Sequence, residues 1–219
     1  MQQIESIEIN TDTNPIGSII WLHGLGADGH DFEQIVPELN LPKDIPLRFV
    51  FPHAPIQPVT VNNGMAMRSW YDILSFDREG RADRESFLKS CDFLCCLIDK
   101  EIKRGIKEDK IVIAGFSQGG AVAIHTALQS SYNIAGLMAL STYVALSDIS
   151  DTAICRKNLP IFMAHGTFDP VLEIDWGRES ANKIIESGYS VDWHEYSMGH
   201  TISSKEITDI SKWLSHIYL

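Results

Sequence analysis

Ser117 stands at the centre of Gly115-Phe116-Ser117-Gln118-Gly119, directly after the apolar run Lys110-Ile111-Val112-Ile113-Ala114. This order is the layout of a nucleophile elbow, in which a buried strand stops, the chain turns sharply and a helix begins with a serine at the bend. The turn brings strand and helix so close that the residues two before and two after the serine must be small, and both are glycine. The stretch that follows, Gly120-Ala121-Val122-Ala123-Ile124-His125-Thr126-Ala127-Leu128, is compatible with a helix. A five-residue pattern can arise by chance. Its place between a strand and a helix makes it informative.

Apolar or β-branched runs recur at 4–9, 18–22, 47–51, 111–114, 135–140, 161–164 and 191–196. Most are short and nearly continuous, as strands covered on both faces should be. Helical patterns lie between several of them. Phe87, Cys91, Leu94, Ile98 and Ile102 make one core-facing stripe, and Ile207, Ile210, Leu214 and Ile217 make another. Ser203 and Glu206 are spaced as a capping box opening the last helix. Strands alternating with helices predict a single α/β domain spanning 1–219, a mostly parallel sheet with helices on both faces. Residues 52–84 carry several prolines, Asn62-Asn63-Gly64 and a charged patch from Asp77 to Glu85 without either period, and read as a long irregular excursion on the substrate side.

The 219 residues suit one domain with a sizeable core. A net charge of −11 argues against a nucleic-acid partner and opposes approach to an anionic membrane. The start, Met1-Gln2-Gln3-Ile4-Glu5-Ser6, lacks the basic flank and apolar core of a secretory signal. Cys91, Cys95 and Cys96 crowd one helix far from Cys155, with no zinc-site spacing; Cys91 and Cys95 fall on the apolar stripe and read as buried free thiols. A reducing, cytoplasmic location is the expectation, with no metal and no cofactor.

A serine hydroxyl needs a base to take its proton and a carboxylate to orient that base. In sheet hydrolases the partners follow in the order acid, then histidine. Asp169 lies in His165-Gly166-Thr167-Phe168-Asp169 after the run 161–164, and His200 in Ser197-Met198-Gly199-His200 after 191–196. Ser117, Asp169 and His200 therefore fall at the ends of three strands on one edge of the sheet, as nucleophile, orienting carboxylate and general base. Asp175, Asp192, His194 and His216 are less well placed, and His165, closing a strand, suits a structural role. For the oxyanion, the candidate donors are the backbone N–H groups of Gln118 and of Leu25. The latter lies in Trp21-Leu22-His23-Gly24-Leu25-Gly26-Ala27-Asp28-Gly29, whose glycines at 24, 26 and 29 permit positive φ.

Taken together, His23-Gly24-Leu25-Gly26, Phe51-Pro52-His53-Ala54-Pro55, Ser69-Trp70-Tyr71-Asp72, Gly115-Phe116-Ser117-Gln118-Gly119-Gly120, His165-Gly166-Thr167-Phe168-Asp169 and Gly199-His200 resemble the acyl-protein thioesterase group of the carboxylesterase/phospholipase family of small α/β-hydrolases. The resemblance implies the α/β-hydrolase fold and cofactor-free action of the Ser117, Asp169 and His200 triad on carboxylic esters or thioesters. Two stretches depart from the family pattern, Pro170-Val171-Leu172-Glu173 and Ile73 to Arg81, and both bear on substrate preference.

The expectation is a serine carboxylesterase working through an acyl-enzyme. Alternatives are an acyl-protein thioesterase or lysophospholipase for long acyl chains and, in a different class, a non-catalytic binding protein on the same fold. Residues 62–76 carry Met65, Met67, Trp70, Tyr71, Ile73, Leu74 and Phe76. The plainer reading is that they plug the loop onto the sheet. The functional reading is that Trp70, Ile73, Leu74 and Phe76 line an acyl groove and that the segment rests peripherally on a lipid surface. The sequence leaves the oligomeric state open, a homodimer included.

Overall fold

The sheet is built from strands whose alternate side chains enter two separate cores. In a computed structural model describing residues 5–77, 80–146 and 158–219, the order is β1 (Ser6–Asn10), β2 (Gly17–Leu22), α1 (Ile35–Glu38), β3 (Leu47–Pro52), β4 (Ile56–Val59), β5 (Met65–Arg68), α2 (Arg84–Lys103), β6 (Ile111–Phe116), α3 (Gln118–Gln129), β7 (Gly136–Leu140), β8 (Ile161–Gly166), α4 (Ile174–Glu186), β9 (Val191–Tyr196) and α5 (Ser204–Tyr218). Seven strands pair in the order β1-β3-β2-β6-β7-β8-β9, all parallel except β1. This is a single-domain α/β-hydrolase fold.

Along the central strands the period of two sorts side chains cleanly. Ile20, Ile113, Leu137 and Met163 join a core with α2, α3 and α4; Ile19, Val112, Met138 and Phe162 join one with α1 and α5. Because both faces are covered, β2, β6, β7 and β8 are buried along their whole length, as their near-continuous apolar runs predict. The edge strands differ. In β1 and β9 most positions are half-buried or exposed, since one side of each strand has no neighbour in the sheet. Helix α3 is buried from Gln118 to Leu128, which explains why its sequence is apolar all round rather than striped. At α5 both halves of the Ser203–Glu206 capping box form.

The excursion at 52–84 is more regular than its sequence suggests. Strands β4 and β5 form an antiparallel hairpin with Val59 opposite Met65, and Ile73 bridges Ala82. Asn63 and Gly64 both take positive φ, 55° and 73°, so the Asn-Gly pair turns the chain as such pairs do in hairpins. Four-residue strands split by a turn are too short to show an alternating pattern. Of the sequence features above, Met1, Gln2, Gln3, Ile4, Arg78, Glu79 and Cys155 lie outside the described residues. Cys91 is buried, but Cys95 is only half-buried, at the margin of its helix's core-facing stripe.

Candidate active site

The chain runs from β2 to β3 on one side and later returns to β6 on the other side of β2. Such a reversal opens a crevice at the strands' carboxyl ends. The exit loops of β2, β6, β8 and β9 carry His23–Gly29, Ser117, Asp169 and His200.

Ser117 adopts φ 52° and ψ −118°, outside the region L-residues prefer. Strain of this kind costs of the order of 1–3 kcal/mol and persists only where neighbours enforce it. Here its N–H donates to the Leu140 carbonyl at 2.9 Å, and its own carbonyl accepts from Thr142 Oγ1 at 2.6 Å. A Cβ at Gly115 would lie 2.4 Å from Gly119, and one at Gly119 would lie 2.6 Å from the His23 carbonyl. Both glycines are required by close approach, as the elbow demands.

Asp169 and His200 are brought together. His200 Nδ1 lies 2.7 Å from Asp169 Oδ2, and since a carboxylate only accepts, Nδ1 carries the hydrogen. The other oxygen, Oδ1, accepts the N–H groups of Val171 and Leu172 at 2.8 and 2.9 Å. Burial works to raise this carboxyl. The hydrogen bonds from His165, His200 and the two backbone N–H groups outweigh it and hold Asp169 well below the usual carboxylate range. The two loops are sewn together, with Thr167 and Phe168 N–H donating to the carbonyls of Tyr196 and Met198. Gly166 permits this seam, because a Cβ there would sit 2.3 Å from the Gly199 carbonyl. The ring of Phe116, next to Ser117, lies 4.7 Å from that of His200. Asp175 is engaged elsewhere, by Arg178, and Asp192 lies beside His194.

In the β2 exit loop, Gly26 alone of the three glycines takes positive φ, 79°. Gly29 is needed for space instead, as a Cβ would meet the Phe51 carbonyl at 2.5 Å; at Gly24 a Cβ would lie 3.5 Å from that of Ser117. This loop therefore lies against the elbow. His23 supports it from within. Its Nε2 accepts from Ala54 N–H and its Nδ1 faces the Gly24 carbonyl at 2.7 Å; burial pushes its pKa down to about 4, so the ring is neutral. Gln118 begins α3, where the first N–H groups have no partner within the helix.

Sequence reasoning did not find what Gln118's side chain does. Its Oε1 accepts from Trp70 N–H, and its Nε2 donates to Ser69 Oγ and the Tyr71 carbonyl. Ser69-Trp70-Tyr71 thus forms a strap across the elbow. No local signal reveals it, because the partners lie nearly fifty residues apart. Of the proposed substrate-binding residues, Trp70 and Ile73 are buried, whereas Leu74 and Phe76 are exposed. Trp70 also lines a groove of about 910 Å³ between the β4–β5 hairpin and α2, with His53, Ile56, Arg68 and Phe93; none of Ser117, Asp169 and His200 lines it. Other exposed apolar side chains include Ile56 and Met65 in the hairpin and Phe168 and Val171 beside Asp169. Among the described residues no helix is long and apolar enough to cross a membrane.

The family model for phospholipase/carboxylesterase matches residues 4–218. Acyl-protein thioesterase 1 of Yarrowia lipolytica is 36% identical, over 98% of this chain and 97% of its own length. Among solved structures, SOBER1 of Arabidopsis thaliana is 33% identical with a TM-score of 0.85, over 92% of this chain and 98% of that one. Acyl-protein thioesterase 2 of Zea mays shares the fold at a TM-score of 0.88 and 24% identity, over 98% and 99%.

Proposed function

Because the chain belongs to the phospholipase/carboxylesterase family of α/β-hydrolases, we propose that it is a serine hydrolase cleaving acyl esters through an acyl-enzyme on Ser117. The observation that carries this reading is the Asp169–His200 hydrogen bond of 2.7 Å, on loops sharing the carboxyl edge of the sheet with the elbow at Ser117.

In this mechanism Ser117 Oγ attacks the acyl carbonyl as His200 Nε2 takes its proton. Nδ1–H stays bonded to Asp169, whose charge stabilises the imidazolium. The carbonyl oxygen becomes an oxyanion, received by the N–H groups of Leu25 and Gln118. Collapse expels the alcohol or thiol with the proton from His200, leaving an ester on Ser117. Water, activated by the same imidazole, then releases the acid and restores the serine.

The finer reading is action on long acyl chains, as thioesters of proteins or as lysophospholipids. It is supported by exposed Leu74 and Phe76 just beyond the strap and by the relatives' thioesterase names. It places the enzyme in the cytoplasm, visiting lipid surfaces peripherally through residues 62–76. The test is labelling with a fluorophosphonate probe beside p-nitrophenyl esters, a thioester and a lysophospholipid. Ser117 should be labelled and esters cleaved, and Ser117→Ala should lose both. A folded parent that neither labels nor turns over any of these substrates indicates a non-catalytic binding protein.

A further inference from the structure

We infer that His165 is a positioning residue for the Asp169–His200 pair, a role that rests on the catalytic reading of that pair given above. Four donors surround the Asp169 carboxylate. Val171 and Leu172 N–H hold Oδ1, His200 Nδ1 holds Oδ2, and His165 Nε2 faces the same Oδ2 at 3.4 Å. The shorter contact of His165 Nε2 is to the Leu172 carbonyl, 2.8 Å away. A carbonyl only accepts, so Nε2 carries the hydrogen and gives it to Leu172, with Asp169 Oδ2 alongside at 3.4 Å.

Leu172 is thereby bracketed, its N–H on Asp169 Oδ1 and its carbonyl on His165. The ring fixes the peptide that fixes the carboxylate. His165 is suited to this because it lies on a buried strand and is walled in. It is fully buried, Trp193 lies face-on at 6.4 Å, and a Cβ at Gly177 would come within 2.4 Å of its Nδ1. Nδ1 itself is buried without a hydrogen-bond partner. A ring serving only to fill space would not need a donor aimed at the catalytic loop. The orientation of Asp169 about its last torsion decides whether a lone pair meets His200 Nδ1–H, and small misplacements at such a site carry a large loss of rate.

The experiment compares His165→Phe, which keeps a ring but removes the donor, with His165→Gln, whose amide nitrogen can reach the place of Nε2. Positioning predicts that kcat falls roughly 10- to 100-fold in His165→Phe with KM within about twofold, and that His165→Gln recovers much of it. Parental kcat in a folded His165→Phe protein overturns the inference, as does equal loss in both variants. Should the Phe variant not fold, ¹⁵N-histidine spectra of the unaltered protein decide. Hydrogen on Nε2 with bare Nδ1 at His165 supports the inference, and the opposite tautomer overturns it. His200→Ala serves as the companion control. Retained esterase activity in His200→Ala sinks the catalytic reading itself, whereas an inactive His200→Ala beside a fully active His165→Phe sinks only the role of His165.

Discussion

The indole N–H of Trp70 donates to the carbonyl of His23 at 2.8 Å, while the backbone N–H of the same tryptophan donates to Gln118 Oε1 at 2.9 Å. One buried residue therefore ties the β2 exit loop to the first residue of α3. These elements carry the two proposed oxyanion donors, Leu25 and Gln118, so Trp70 sets their spacing as a brace. Its ring packs on His23 at 5.1 Å and edge-on to Phe93 at 5.5 Å, leaving little freedom for the brace to bend.

Trp70→Phe removes the indole donor and strands a buried carbonyl. It should cost about 1–3 kcal/mol of stability, read by urea denaturation. If the brace matters for catalysis, kcat should fall several-fold with KM little changed. A stability loss with parental kcat would show that the tie is purely structural.

Asp169→Asn tests the orientation of His200. Val171 and Leu172 N–H still need an acceptor, so the asparagine will keep its oxygen at the Oδ1 position. Its NH₂ then faces His200 Nδ1, which can no longer present a hydrogen there. The imidazole is forced into the wrong tautomer, and the negative charge is lost as well. Turnover should drop about 10⁴-fold while the fold persists. A rate within tenfold of the parent would mean that Asp169 does not orient the base.

The elbow and the ends of three strands were legible because their signals are local. Gly115, Ser117 and Gly119 sit within five residues, and the apolar runs of β6 and β8 announce strands buried on both faces. The hairpin was not, since Ile56–Val59 and Met65–Arg68 are each too brief to display a period and mix exposed with half-buried positions. Gln118's grip on Ser69 and Tyr71, and His165's on Leu172, depend on side-chain directions that spacing alone does not encode. The glycines at 24, 26 and 29 show the same limit. A loop rich in glycine could be foreseen, yet Gly26 serves torsion and Gly29 serves space.

Two buried groups outside the proposed chemistry shape the pH dependence of stability. Burial pushes Glu206 up to about 8, so between about 4.5 and 8 the folded state holds a proton that the unfolded state has released. Stability must fall as pH rises through that window. Burial pushes His23 down to about 4, so between about 4 and 6.5 the unfolded state is the more protonated, and stability falls as pH drops. The effects oppose each other below pH 6.5, and Glu206 acts without that opposition above it. Glu206→Gln should therefore gain on the parent by about 2 kcal/mol between pH 6.5 and 8, on top of any constant offset from its buried amide. Urea titrations at the two pH values check this, and a difference that does not change with pH rules it out.

Leu74 and Phe76 remain 46% and 71% exposed, although Trp70, Tyr71 and Ile73 just before them are buried. Side chains of this size left in water on the segment that follows the strap are either idle or waiting for an acyl chain or lipid. Each buried methylene is worth about 0.8 kcal/mol, so a groove they complete should favour longer chains by several-fold per carbon until it is filled. Replacing both with Ser should cut hydrolysis of long-chain esters far more than that of acetate esters, because only the long chain reaches them. If the segment also rests on lipid, the same variant should co-sediment less with neutral phosphatidylcholine liposomes. These avoid the repulsion that a net charge of −11 would meet at an anionic surface. Equal losses on short and long esters, with unchanged sedimentation, would assign the two side chains no part in substrate or membrane binding.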